Sequence, residues 1–125
     1  MTGRLAGKCI LVVEDEYFIA SDLKRALQKE EAAVIGPVGD LPRGLALLDG
    51  DRPDAAVLDV NLGETTSYAI ADRLTGLSVP FMFLTGYDGW ALPATYQAVP
   101  RIAKPFPMHA VLDCVARLVD PEMAQ

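Results

Sequence analysis

Five short apolar segments alternate along the chain with segments in which apolar residues recur every three or four positions. The apolar segments are typical of strands buried on both faces of a sheet. These predicted strands cover residues 8–13, 33–38, 55–58, 81–85 and 101–103. Because a helix after each strand carries the chain back before the next strand is added, the strands must be parallel. The alternation therefore predicts an α/β domain with a doubly wound, five-stranded parallel sheet.

The predicted helices cover residues 17–30, 41–48, 67–74 and 108–119. Two aromatic residues, Tyr17 and Phe18, begin the first helix, and we expect one in the core and the other available to a partner. Between the last two strands, Pro93 and Pro100 leave little room for a regular helix, because proline interrupts helical hydrogen bonding. We therefore expect residues 90–99 to be short or irregular in structure.

Length and composition narrow the class of protein. A chain of 125 residues with 51% hydrophobic and 22% charged residues fits one globular domain, here residues 1–125. The net charge of −6 argues against nucleic acid as a partner, and the apolar runs are too short for a membrane span. Cys9 and Cys114 lie in apolar surroundings, which favours free thiols in the cytoplasm. Only six residues follow Val119, so we expect no attached output domain.

Charged and hydroxyl side chains stand at the ends of four predicted strands. Glu14 and Asp15 follow the first strand, Asp59 the third and Lys104 the fifth, while Thr85 ends the fourth. Each residue alone has an ordinary explanation, since acidic side chains suit the start of a helix and lysine is usually solvated. In doubly wound sheets, however, functional sites lie beyond the carboxyl ends of the strands. The set therefore predicts a site around one crevice.

The residue types indicate phosphoryl chemistry. Three carboxylates that lie close together repel one another unless a cation sits among them, and oxygen ligands suit Mg²⁺. His109 stands alone, so no histidine and cysteine cluster competes for a softer metal. Asp59 is the central carboxylate, and attack by its oxygen on phosphorus would give an aspartyl phosphate. Lys104 would neutralise phosphoryl oxygens, and the Thr85 hydroxyl would donate a hydrogen bond to one of them.

The segments VVEDE, LDVNL, FLTG and AKPF, in this order, resemble the receiver domain of two-component response regulators. The resemblance extends from residue 8 to about residue 119. It implies a flavodoxin-like sheet with strand order 2-1-3-4-5. It also implies that the protein is a regulator and not an enzyme, and that it catalyses at most its own phosphorylation and dephosphorylation. Asp59 would accept phosphate from a histidine kinase or a histidine phosphotransfer protein, and the domain would signal by binding a downstream protein target or by phosphorelay.

The resemblance also assigns ligands for the metal. It implies Mg²⁺ bound by Asp15, Asp59 and the backbone carbonyl of Asn61, with Glu14 acting through water. Most receivers have paired aspartates where this chain has Glu14 followed by Asp15, and the longer glutamate keeps the charge. A cis peptide bond before Pro105 is also implied, and the small energy difference between the isomers of X–Pro bonds permits it.

A second departure concerns the conformational switch. The resemblance assigns Thr85 as the switch hydroxyl, but Arg101 stands where receivers usually have an aromatic residue. The run FLTGYDGWALPATY resembles the branch of largely stand-alone receivers called FAT GUY, which also lack that aromatic residue. We predict that Arg101 points outward with its head in water. Tyr87, two residues after Thr85, is then the candidate side chain that changes partners.

Two other functions remain open from the sequence. A small haloacid-dehalogenase-like phosphatase would also use a strand-end Asp, Mg²⁺, Thr and Lys, but such enzymes usually have a second Asp at the position of Asn61. An amide cannot transfer protons as a carboxylate does. The other alternative is a receiver-like interaction module that is never phosphorylated. All the positions that phosphoryl chemistry needs hold suitable residues, which argues against this module. Arg101, in place of the usual aromatic residue, leaves this alternative open.

Overall fold

The computed structural model of the chain describes residues 3–86 and 92–120. The strands in these ranges are β1 (Cys9–Val13), β2 (Ala33–Val38), β3 (Ala55–Asp59), β4 (Asn61–Leu62), β5 (Thr65–Thr66), β6 (Phe81–Thr85) and β7 (Arg101–Ala103). The helices are α1 (Tyr17–Lys29), α2 (Leu41–Leu48), α3 (Tyr68–Gly76) and α4 (Met108–Val119), with a 3₁₀ turn over Ala94–Tyr96.

Five of the strands form one parallel sheet in the order β2-β1-β3-β6-β7. Numbered among themselves, these strands have the order 2-1-3-4-5, which confirms the predicted doubly wound architecture. The registers align the carboxyl ends: Val13 pairs with Leu58, and Asp59 pairs with Leu84. Parallel pairing therefore places the residues that follow β1 at the same level as the end of β3.

Two apolar layers cover the faces of the sheet. Alternate residues of β1 point to opposite faces, so Leu11 packs with α2 and α3, whereas Val12 packs with α1 and α4. On the first face, Tyr96 of the 3₁₀ turn is buried and stacks on Tyr68, with ring centroids 5.4 Å apart. Its ring also meets Phe83 edge to face at 5.5 Å. This aromatic contact fixes the 3₁₀ turn on the sheet.

Most predicted boundaries are confirmed, and the differences are small. β1 begins one residue later than predicted, α1 ends one residue earlier, β3 includes Asp59, and α3 covers Tyr68–Gly76 where residues 67–74 were predicted. The region predicted to be short or irregular contains only the 3₁₀ turn among its described residues, 92–99. The antiparallel pair β4 and β5 was not predicted, because strands of two residues are too short to show an alternating pattern.

The prediction that either Tyr17 or Phe18 enters the core is wrong. The two residues are 75% and 79% exposed, and their rings contact each other edge to face. The reason is geometric: the first turn of α1 lies at the carboxyl edge of the sheet, and the buried face of the helix begins only at Ala20. Among the helices of the described ranges, none has both the length and the hydropathy that crossing a bilayer requires.

Candidate functional site

The loops after β1, β3 and β7 meet at the carboxyl edge of the sheet. Backbone hydrogen bonds fix their height: the N–H of Glu14 donates to the carbonyl of Val38 at 2.9 Å, and the N–H of Lys104 donates to the carbonyl of Thr85 at 2.9 Å. Because the loops continue paired strands, their side chains point into one depression of about 310 Å³. Its lining residues are Asp15, Glu16, Asp59, Asn61, Gly63, Gly86 and Lys104.

The ammonium of Lys104 lies among three carboxylates. Its Nζ is 2.9 Å from Glu14 Oε1, 3.1 Å from Asp59 Oδ2 and 3.2 Å from Glu16 Oε1. The side chains of Lys104, Glu14 and Asp59 are almost fully buried, whereas that of Glu16 is 60% exposed. One buried cation is thus shared by two buried anions and one that reaches solvent.

Glu14, Asp15 and Asp59 form an acidic cluster, in which one carboxylate oxygen from each residue lies within 4.8 Å of the others. Lys104 can neutralise only one of these three charges. Glu14 Oε1 is buried and accepts no well-directed hydrogen bond from the described residues, although it lies at ion-pair distance from Lys104. Excess negative charge, oxygen donors and an incompletely satisfied buried oxygen together fit a hard divalent cation.

The acidic cluster changes the acidity of its central member. Burial, followed by the hydrogen bond and charge of Glu14, raises the pKa of Asp59 to about 8, and Lys104 opposes the rise only in part. For Lys104, burial lowers the pKa, but the hydrogen bonds and charges of Glu14 and Asp59 outweigh it and the net pKa is raised. In the absence of another cation, the site therefore disfavours the ionised form of Asp59.

Glu16 was missed by the sequence reasoning. It lies at the N-cap of α1 but makes no side-chain cap bond, and its backbone N–H donates to Glu14 Oε2 at 3.0 Å. A signal was present in the acidic triplet of residues 14–16, which directly follows a buried strand. Acidic residues at the start of a helix are common, however, and only the structure shows that Glu16 reaches Lys104.

The other predicted site residues occupy different positions. Asn61 is exposed in β4, and its N–H makes a long hydrogen bond of 3.4 Å to Asp59 Oδ1. Thr85 is buried at the end of β6, and its backbone carbonyl accepts the hydrogen bond from the N–H of Lys104. Tyr87 lies outside the described residues.

Arg101 lies apart from this depression. It is exposed on β7, where its guanidinium donates to the backbone carbonyl of Gln97 at 3.0 Å, and it lines a separate groove with His109 and Arg117. The peptide bond between Lys104 and Pro105 is cis. An outward Arg101 agrees with the sequence prediction.

The parallel sheet, the acidic cluster and the lysine define a class of signalling proteins. The chain belongs to the response regulator receiver domain family, whose model matches residues 10–116. It is therefore a phosphoacceptor domain of two-component signalling and not an ordinary enzyme. The alternative of a haloacid-dehalogenase-like phosphatase finds no support in these comparisons.

Particular relatives extend the comparison. The sensory transduction protein LytT of Bacillus cereus is 30% identical over 120 residues, which cover 93% of this chain and 49% of LytT. The chain thus spans about half the length of this curated relative. The solution structure of SdrG from Sphingomonas melonis Fr1 is 34% identical, with a TM-score of 0.79, and the match covers 94% of this chain and 99% of SdrG.

A second structure of this relative is described as the BeF3-activated conformation of SdrG, from Pseudomonas melonis Fr1. It is 35% identical to this chain, with a TM-score of 0.75, and the match covers 91% of this chain and 98% of SdrG. This chain is therefore similar, over nearly its whole length, to a receiver for which an activated conformation is known.

Proposed function

We propose that Asp59 is the phosphoacceptor of this receiver domain. The observation that carries the proposal is the position of its carboxylate, which is buried at the end of the central strand β3 with Oδ2 3.1 Å from Lys104 Nζ. A cation at this distance can neutralise phosphoryl oxygens as they arrive. The open depression above Asp59 gives the donor access to the carboxylate.

The reaction is a displacement at phosphorus. A carboxylate oxygen of Asp59 attacks the phosphorus of a phosphohistidine, the P–N bond breaks, and its electron pair leaves with the imidazole. An acyl phosphate remains on Asp59, and hydrolysis by water returns inorganic phosphate. Lys104 stabilises the charge on the phosphoryl oxygens, and Thr85, at the end of the neighbouring strand, is the proposed hydroxyl donor.

We propose that Asp15, Asp59 and the backbone carbonyl of Asn61 hold Mg²⁺, with Glu14 acting through water. The excess charge of the acidic cluster supports this ligand set. A bound cation would lower the pKa of Asp59, which favours the ionised nucleophile, and would neutralise phosphoryl oxygens. Lys104 Nζ lies 3.1 Å from Asp59 Oδ2, so it would be a second positive group beside the carboxylate.

The partners follow from this chemistry. The donor is a histidine kinase or a histidine phosphotransfer protein, and the phosphorylated domain signals by binding a downstream protein target or by passing the phosphoryl group on. Neither nucleic acid nor a membrane is a proposed partner, in keeping with the net charge of −6. The assignment to the FAT GUY branch and the switch through Tyr87 stay predictions, since Tyr87 is outside the described residues.

Labelling by a small phosphodonor tests the proposal. We expect acetyl phosphate with Mg²⁺ to add one phosphoryl group to the wild-type protein and none to Asp59→Asn. Asp51→Asn is the matched control, because Asp51 is an exposed aspartate outside the acidic cluster. A label that persists in Asp59→Asn would refute the assignment of the acceptor. A wild-type protein that takes no label from acetyl phosphate or from a phosphohistidine donor would favour the unphosphorylated interaction module.

A further inference from the structure

We propose that Glu16 is a positioning residue whose carboxylate binds the Lys104 ammonium until a phosphoryl oxygen takes the place of that carboxylate. The inference rests on the proposed function of Asp59 and assigns a role that the phosphoacceptor chemistry itself does not require. The starting observation is the third contact of the Lys104 ammonium, which lies 3.2 Å from Glu16 Oε1. That contact faces the same depression as Asp59.

Crowding at the ammonium shows why one contact must be given up. Lys104 Nζ donates hydrogen bonds to Asp59 Oδ2 and Glu16 Oε1, and Glu14 Oε1 lies at ion-pair distance, 2.9 Å from Nζ. Three carboxylate oxygens thus lie within 3.2 Å of Nζ. A phosphoryl oxygen that approaches Lys104 from the depression brings further negative charge beside them, so it takes the place of one of these carboxylates.

Burial decides which carboxylate leaves. The Glu14 side chain is 0% exposed, so its carboxylate cannot turn into water when it leaves Lys104. Asp59 carries the phosphoryl group and cannot move away from it. Glu16 is 60% exposed and makes no side-chain cap bond to α1, so its carboxylate can turn into water without losing another contact. Glu16 is therefore the group that the phosphoryl oxygen replaces.

The exchange makes Glu16 a competitor of the phosphoryl group. Its negative charge stabilises Lys104 in the unphosphorylated state and repels the phosphoryl oxygens once they are in place. Removing the charge should weaken this contact and leave Lys104 held by Glu14 and Asp59, which favours the incoming phosphoryl oxygen. A partly exposed ion pair of this kind changes an equilibrium by a factor of about two to five.

Binding of BeF₃⁻ at saturating Mg²⁺ tests the inference, followed by the backbone amide signal of Lys104 in NMR spectra. We expect Glu16→Gln to bind this phosphoryl mimic about two- to fivefold more tightly than the wild type. Glu31→Gln is the matched control, because it removes the same charge from an exposed glutamate outside the site. It should bind as the wild type does.

A second measurement uses the wild-type protein and does not depend on how a variant folds. On binding of BeF₃⁻, the side-chain carboxyl ¹³C signal of Glu16 should move to the value of a solvated glutamate, and the Lys104 ammonium signal should shift with it. A Glu16 signal that does not move would overturn the inference. Equal or weaker binding by Glu16→Gln relative to Glu31→Gln would do the same.

The same titration separates this inference from the proposed function. If the wild type fails to bind BeF₃⁻, or if Asp59→Asn still binds it as the wild type does, the assignment of Asp59 fails and the role of Glu16 fails with it. If the wild type binds, Asp59→Asn does not, and Glu16 has no effect, only the competitor role is wrong.

Discussion

Replacing Lys104 by methionine tests whether its ammonium stabilises the folded protein by neutralising the buried carboxylates of the site. Methionine keeps an unbranched chain, with sulfur in place of the Cδ methylene, and lacks the ammonium, so packing changes little. The ammonium lies within 3.2 Å of carboxylate oxygens on Glu14, Asp59 and Glu16. Without it, the acidic cluster has no counter-ion among the described residues.

The expected size follows from burial. Removing one partner of a buried ion pair costs about 3–5 kcal/mol, because the remaining charge is buried without compensation. The contact with the exposed Glu16 adds less than about 1 kcal/mol. For a chain of this length the loss corresponds to a melting temperature lower by roughly 10–20 °C. The loss should shrink at acid pH, because protonated carboxylates need no counter-ion, and Mg²⁺ should restore part of the stability.

Thermal melts at pH 7.5 and pH 5, without divalent cations, measure this effect. Lys24→Met is the matched control, since Lys24 is exposed on α1 and should shift the free energy of unfolding by no more than about 0.5 kcal/mol. Equal losses in the two variants would show that Lys104 contributes no more than a surface lysine. A loss that stays constant between pH 5 and pH 7.5 would refute its electrostatic origin.

Four further predictions concern the metal, the proton, the core and the switch. Mg²⁺ at a hundredfold over its dissociation constant should raise the free energy of unfolding by about 2.7 kcal/mol, and Asp15→Asn should remove most of this gain in thermal melts; an unchanged wild-type midpoint would count against a metal site. Because the folded pKa of Asp59 is about 8 and its unfolded value is 3.8, metal-free stability should fall as pH rises from about 4 to 8, and Asp59→Asn should flatten that dependence in urea titrations at several pH values. Tyr96→Phe, which loses the hydroxyl contacts to Asp72 and to a backbone carbonyl, should lower the free energy of unfolding by about 1–2 kcal/mol, whereas Tyr17→Phe on the surface should not; equal effects would refute a structural role for the Tyr96 hydroxyl. Tyr87→Ala should leave phosphorylation of Asp59 intact and weaken phosphate-dependent partner binding in pull-down assays, and unchanged partner binding would exclude Tyr87 as the switch.

The sequence by itself determined the strands and the edge of the sheet that carries the site. Residues 55–58 and 81–84 form continuous apolar runs, which are typical of strands covered on both faces of a sheet. Because parallel strands end at one edge, the side chains after these runs had to meet. The meeting of Asp59 with Lys104 could therefore be predicted, although the two are separated by 45 positions.

Only the tertiary structure decided the environment of each side chain at that edge. The exposure of Tyr17 and Phe18 depends on where the buried face of α1 begins, and local sequence does not reveal this. The contact between Glu16 and Lys104 depends on the angle at which the chain enters α1 beside the loop after β7. The physical reason is the range of the interactions. Strand formation depends on the apolar pattern of neighbouring residues in the sequence. The burial and charge pairing of a side chain depend on residues from distant parts of the chain that the fold brings next to it.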